Sequence, residues 1–231
     1  MDKDFNELEK KLNIKFNDIE LLRQAFVHRS YLNEHPTFEL PHNERLEFLG
    51  DAVLELVVTE NLYLNFPNPE GDLTNWRASL VNSKILSKIA EDIGMDDYLF
   101  LSKGESKDTG KARQYILANA IEALIGAIYL DSGWESAKSF INQFILCELE
   151  HILENKLYID PKSSFQEAAQ EKEGATPTYK VIKEFGPDHA KSFVVGVYLK
   201  NKLVAEGEGS SKQEAQEDAA RKGLESHDWE S

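Results

Sequence analysis

The sequence predicts two domains of different class: an all-α domain followed by a smaller α+β domain of element order α-β-β-β-α. Three observations carry the prediction. Up to about residue 156 the apolar residues recur at three- and four-residue spacing, the signature of one helix face. From Asp160 onward three stretches alternate as strands do, TPTYKVIKEF, KSFVVGVYLK and KLVAEGEG, with helical spacing on either side of them. A chain of 231 residues that is 41% hydrophobic is also long enough to give each of two units its own core.

In chain order, helices are expected over 4–12, 17–28, 43–65, 72–92, 112–131 and 134–155, separated by the turn-rich segments NEHPTFELPH, FPNPEG and SKGESKDTGK. The boundary falls in NKLYIDPKS, where Asp160 caps a helix over 162–173 whose first turn accepts Pro161. After the three strands, Ser211-x-x-Glu214 is a capping box that opens a helix to about Ser226. No internal repeat or low-complexity tract interrupts this order.

The formal charge of −15 argues on its face against a nucleic-acid partner, because phosphate binding goes with a basic surface. No stretch approaches the roughly 18–20 uninterrupted apolar residues of a membrane helix, and MDKDFNELEK has no apolar core of the signal-peptide kind. The expectation is therefore a cytoplasmic protein with no membrane partner. Cys147, the only cysteine, excludes an intrachain disulfide and reads as a small buried apolar residue.

Residues 43–55, NERLEFLGDAVLE, place Glu44, Glu47, Asp51 and Glu55 on one helix face, where like charges repel. A solvated acidic face opposite a core stripe of Leu46, Leu49, Val53 and Leu54 is the ordinary explanation. Two features weigh against it. Arg45 is the only base inside the stretch, and a second apolar helix, ILANAIEALIGAIYL, carries Asn119 and Glu122 three residues apart. Packed together, the two helices would gather Glu47, Asp51, Asn119 and Glu122 into an oxygen-rich cluster, stable if protonated or filled by a cation. Hard oxygen donors without His or Cys suit Mg2+ or Mn2+, which serve phosphodiester hydrolysis.

The block HNERLEFLGDAVL, with Glu70-Gly71, RASLVN at 77–82 and ILANAIEALIGAIYLD at 116–131, resembles ribonuclease III, the double-stranded-RNA endonuclease family. The α-β-β-β-α segment is similar to the double-stranded-RNA-binding domain of its bacterial members. The resemblance implies an all-α nuclease domain over 4–134, with a helical extension to about 156, and an RNA-binding domain over 160–229. It implies Glu47, Asp51, Asn119 and Glu122 at the metal, with Asp51 and Glu122 catalytic and Glu44 and Glu70 as additional cleavage-site acids. It places Phe48 in a socket on a partner subunit, hence a homodimer, and implies 5′-phosphate and 3′-hydroxyl ends and a role in processing rRNA and other RNA precursors, mRNA included. Double-stranded RNA would be met by Gln166 and Glu167, by the loop Gly186, Pro187, Asp188 and His189, and by Ser211, Lys212 and Gln213, through shape and backbone contacts.

Two departures from the family pattern stand out. Asn119 replaces an aspartate, so an uncharged carbonyl stands among the ligands. The last helix begins with Lys212 and then Gln213, where family members carry two or more bases, and residues 160–231 hold 14 acids against 10 bases. In the first half, Arg29, Arg77, Lys84, Lys103, Lys107, Lys111 and Arg113 are candidates to face phosphates. His28 and Arg29 also read as a helix carboxy-terminal end favoured by the dipole, and His42 as a surface loop residue or a metal ligand. Three readings follow: a magnesium-dependent endonuclease of double-stranded RNA; a non-cleaving double-stranded-RNA-binding protein weakened at the metal site by Asn119; and a metal-free helical interaction protein with a separate binding module.

Overall fold

Short polar side chains at element boundaries decide where the helices begin. Asp4, Asp18, Asn82, Asp160 and Ser211 each accept a hydrogen bond from a backbone N–H in the first turn that follows, satisfying donors the helix itself leaves free. The computed structural model describes residues 3–187 and 191–229. They form two compact units, Met1–Tyr158 and Ile159–Ser231.

The first unit is helical: α1 (Phe5–Leu12), α2 (Ile19–Ala25), α3 (Arg29–Glu34), α4 (Glu44–Asn65), α5 (Glu70–Leu80), α6 (Ser83–Asp92), α7 (Lys111–Phe144) and α8 (Leu149–Glu154). The second holds α9 (Pro161–Glu173), an antiparallel sheet in the order β1 (Thr178–Phe185), β2 (Ser192–Leu199), β3 (Lys202–Gly209), and α10 (Lys212–Ser226). Its core is Phe165, Ala169, Val197, Ala219 and Ala220, where α9 and α10 pack together and α10 packs on the sheet.

Several boundaries differ from the periodicity. The expected helix 72–92 is two helices, because Asn82 adopts an extended backbone and its side chain accepts from Lys84 N and Ile85 N. The expected helix 17–28 stops at Ala25, where the chain turns to a β-bridge between Val27 and Phe100. His28 then starts a further helix: its Nδ1 accepts from Ser30 N at 3.3 Å, so His28 and Arg29 open α3 and do not close α2. The break expected between 112–131 and 134–155 is present at Gly133 (φ 79°), whose non-helical backbone kinks α7, but the second expected helix ends at Phe144 and is followed by a 3-10 turn and α8. Cys147 lies exposed on that turn and is not a core residue.

α7 is the axis of the first unit, packed against α2, α4 and α6 with Leu117, Ile121, Leu124 and Ile128 fully buried, each stabilising the fold by roughly 1.5–3 kcal/mol. Lys111–Glu154 has the length and composition of a membrane span, but most of its apolar window is buried inside this unit. α4 is fixed at its start by Asn43, whose side chain donates to Ala25 O at 3.0 Å while its backbone N–H donates to Val27 O at 2.9 Å.

Where α4 crosses α7 the two backbones touch. A Cβ on Gly50 would lie 1.7 Å from the carbonyl oxygen of Glu122, and one on Gly126 would lie 2.2 Å from that of Leu46. Neither neighbour is a flexible side chain, so only glycine fits. Gly126→Ala should therefore force the helices apart, losing about 1–3 kcal/mol to overpacking against at most about 1 kcal/mol regained from helix propensity. Urea unfolding of the two proteins measures the difference. A variant as stable as wild type would mean the crossing yields easily.

Candidate active site

The glycine crossing determines what else meets there. Glu47 and Asp51 flank Gly50 on α4, and Asn119 and Glu122 lie within two turns of Gly126 on α7, so the close backbone approach brings their side chains together. Leu46, Val53 and Leu54 occupy the buried side of α4, with Leu49 partly buried. The carboxylates take the half-buried and exposed positions that remain.

Burial and neighbouring acids raise all three carboxyls. Burial pushes the Glu122 carboxyl up to about 8, with the charges of Asp51 and then Glu47 adding to it. Glu47 is raised by burial first, then by Glu44 and Asp51, against a lowering hydrogen bond from the Asn119 amide. Asp51 is raised by burial and by Glu55. The fold thus holds three carboxylates whose charge is disfavoured by burial and by nearby acids, and a cation is the group that would relieve all of them.

The donors fit a hard divalent ion: three carboxylates and one amide, no sulfur and no imidazole. Asn119 uses its NH2 toward Glu47, which leaves its carbonyl oxygen as the neutral donor. The acids are not drawn in to ligating distance: among the described residues no three His, Cys, Asp or Glu side chains stand ready to hold an ion.

The other expected site acids sit apart from this cluster in different ways. Glu44, on the first turn of α4, has Arg29 at 3.6 Å and His42 at 3.7 Å, which places His42 beside an acid at the rim. Glu70 starts α5, accepts from Thr74 Oγ1 at 3.0 Å, and lines a groove of about 670 Å³ with Tyr63, Phe66, Leu73 and Arg77. Arg113 is not a phosphate-facing base: its guanidinium is mostly buried and pairs with Asp96 at 2.6 Å. Phe48 stands 82% exposed on α4, with Leu56 and Tyr63 also exposed further along the helix.

In the second unit Gln166 and Glu167 are exposed on α9, and Gly186 (φ 94°) and Pro187 turn the chain after β1. Asp188 and His189 lie outside the described residues. Ser211 Oγ accepts from Glu214 N at 3.2 Å, the expected cap, while Gln213 donates to Glu217 Oε1 at 2.9 Å along the helix.

The Ribonuclease-III-like family model matches residues 18–149, and the double-stranded RNA binding motif matches residues 161–227. Ribonuclease 3 of Enterococcus faecalis is 43% identical over 221 residues, 95% of this chain and 96% of its own length. The chain belongs to the ribonuclease III family. Ribonuclease 3 of Natranaerobius thermophilus is 46% identical over 219 residues, covering 94% of each chain. Among solved structures, the ribonuclease III nuclease domain from Campylobacter jejuni is 42% identical with a TM-score of 0.57, over 64% of this chain and 97% of that one. As a ribonuclease III this chain is a metal-dependent endonuclease of double-stranded RNA, with a helical nuclease domain followed by an α+β RNA-binding domain.

The site residues that sequence reasoning passed over are Gly50 and Gly126. Their signal was present, as glycines inside otherwise strongly apolar helices, a sign of close backbone approach.

Glu122 binds its proton more tightly in the fold than in the unfolded chain. The stability this contributes is fully present below about pH 4.5 and is lost as pH rises through about 8. In metal-free solution, urea midpoints of wild type should decline between about pH 5 and pH 8.5 more steeply than those of Glu122→Gln. Parallel pH profiles would mean the carboxyl titrates alike in both states.

Proposed function

We propose that this ribonuclease III cleaves with Mg2+, Mn2+ being able to replace it, held among Glu47, Asp51, Asn119 and Glu122. The supporting observation is the half-buried Glu122 carboxyl, raised by its burial and then by Asp51 and Glu47, at a crossing only glycine permits. A divalent ion bound there supplies Lewis acidity toward a phosphodiester and a water of lowered pKa. Asp51 and Glu122 are the catalytic pair: Asp51 is the more exposed, and Glu122 is the deeper group, whose carboxyl would have to be ionised to hold the ion. Asn119 orients Glu47 through its amide and would add a donor without charge, so that three negative groups would hold the metal. Glu44, between Arg29 and His42, shapes the rim, and Glu70 acts from the groove beside α5. The products are 5′-phosphate and 3′-hydroxyl ends, and the enzyme works in the cytoplasm on rRNA and other RNA precursors.

A solved ribonuclease III nuclease domain from Campylobacter jejuni shows structural flexibility in a region involved in its dimer formation. We propose the same assembly here, as a homodimer in which Phe48 enters the partner. An 82% exposed phenylalanine on a helix that also exposes Leu56 and Tyr63 leaves large apolar side chains in water, which a second copy would cover. Duplex RNA lies on Gln166, Glu167, the loop at Gly186 and Pro187, and Ser211, Lys212 and Gln213. Asp188 and His189 belong to the same proposal.

Glu122→Gln should abolish cleavage of a long RNA duplex in magnesium while duplex affinity stays within a few-fold. Turnover like that of wild type would remove Glu122 from the catalytic pair, and a wild type that binds without cutting would favour the non-cleaving reading. Phe48→Ala should weaken dimerisation by roughly 3–5 kcal/mol if the ring is fully buried in the partner. Sedimentation at low micromolar protein reads this out. An unchanged dimer would free Phe48 of that role.

A further inference from the structure

The second unit is short of cations where its last helix begins. Lys212 is the only base in the first two turns of α10, and Gln213 has its amide turned to Glu217. Further along, Arg221 and Lys222 are taken up by Asp218. On the other side of the unit Lys200 bonds Glu173 O and lies near its carboxylate.

Lys162 is differently placed. It sits in the first turn of α9, and its Nζ crosses to α10 to donate to Gln216 Oε1 at 2.8 Å. The ammonium also lies 5.4 Å from the centre of the Tyr179 ring. Both partners are uncharged, so the positive charge is held in place without being neutralised. The nearest acid on its own helix, Asp160, is occupied in capping, accepting from Lys162 N, Ser163 N and Ser163 Oγ.

The spacing says which surface this charge serves. Lys162 precedes Gln166 by four residues, and Gln216 follows Lys212 by four, so each lies one turn from a residue of the proposed RNA face and on the same side of its helix. The hydrogen bond therefore ties the Gln166 side of α9 to the Lys212 side of α10. We infer that Lys162 is a phosphate-binding residue, set between the two helix contacts and supplying the second cation that α10 lacks. This rests on the reading that duplex RNA lies across α9 and α10. Gln216 is its positioning residue: it fixes the long side chain and spares the entropy of ordering it on binding.

The test is the salt dependence of binding to a duplex of about 20 base pairs, long enough for the roughly 16 a domain of this class spans, using the full chain without divalent metal so that nothing is cut. Lys162→Met keeps the stem and removes the charge. Its log–log slope should be shallower than wild type by about 0.9, the B-form value per phosphate, so the ratio of affinities between 50 and 200 mM salt shrinks about 3.5-fold. The double variant Lys162→Met with Gln216→Lys, which returns the charge from the other side of the same bond, should restore the wild-type slope. A merely structural role for Lys162 would move the melting temperature and leave the slope alone. A slope unchanged in Lys162→Met, or equally lowered by Lys200→Met, overturns the inference. Failure of the wild type itself to bind the duplex would overturn the underlying reading and this one with it.

Discussion

The contact on which the first unit depends is the touching of two helix backbones at Gly50 and Gly126. Helices with ordinary side chains at their crossing stand 8–10 Å apart, and a side chain at either glycine would meet a carbonyl oxygen of the other helix. Removing both side chains lets α4 and α7 share a line of contact. The polar residues that flank the glycines are then held together whether or not they favour it. Asn43, pinned to the end of α2, sets where along α7 the acidic helix begins.

That arrangement works against the stability of the empty site. Glu122 is half-buried beside two other acids, and a hydrogen bond from Asn119 gives Glu47 some relief. The apolar core that α7 builds with α2, α4 and α6 is large enough to carry this unfavourable cluster. The same opposition runs through the whole chain. A protein with a formal charge of −15 that acts on a polyanion must rely on local potential, which a metal at the proposed acids would supply and which a cation held by neutral partners, as Lys162 is by Gln216 and Tyr179, would extend.

Much of this was legible in the residue order. The spacing of Glu44, Glu47 and Asp51 fixed their shared face, and the isolated Asn119 and Glu122 in an apolar helix pointed to the second wall of the site. The change from helical spacing to alternation at Asp160 marked a second fold class, and Asp160 and Ser211 announced their caps. What was hidden depended on competition that periodicity does not record. Asn82 ends a helix because its side chain captures two backbone amides, in a stretch whose apolar spacing continues unbroken. His28 caps α3, although a His-Arg pair is equally at home at a helix end. Arg113 is consumed by Asp96, a partner distant in sequence. Glu70, expected among the cleavage-site acids by resemblance, lies beside the α4–α5 groove, a position that depends on how α5 packs and not on its local sequence.

The claim that ties these observations together is that the crossing forces acids into a site whose strain a metal ion relieves. It is tested most directly by the unfolding free energy of wild type and Glu122→Gln at neutral pH, each measured metal-free and in millimolar Mn2+. The account predicts that Glu122→Gln is at least as stable as wild type without metal, because a disfavoured carboxyl has been replaced by a neutral amide. It predicts that Mn2+ stabilises wild type more than the variant and reverses the order, by linkage of binding to folding. If Glu122→Gln is the less stable protein without metal and Mn2+ raises both equally, the cluster is an ordinary structural network, and the metal site lies elsewhere.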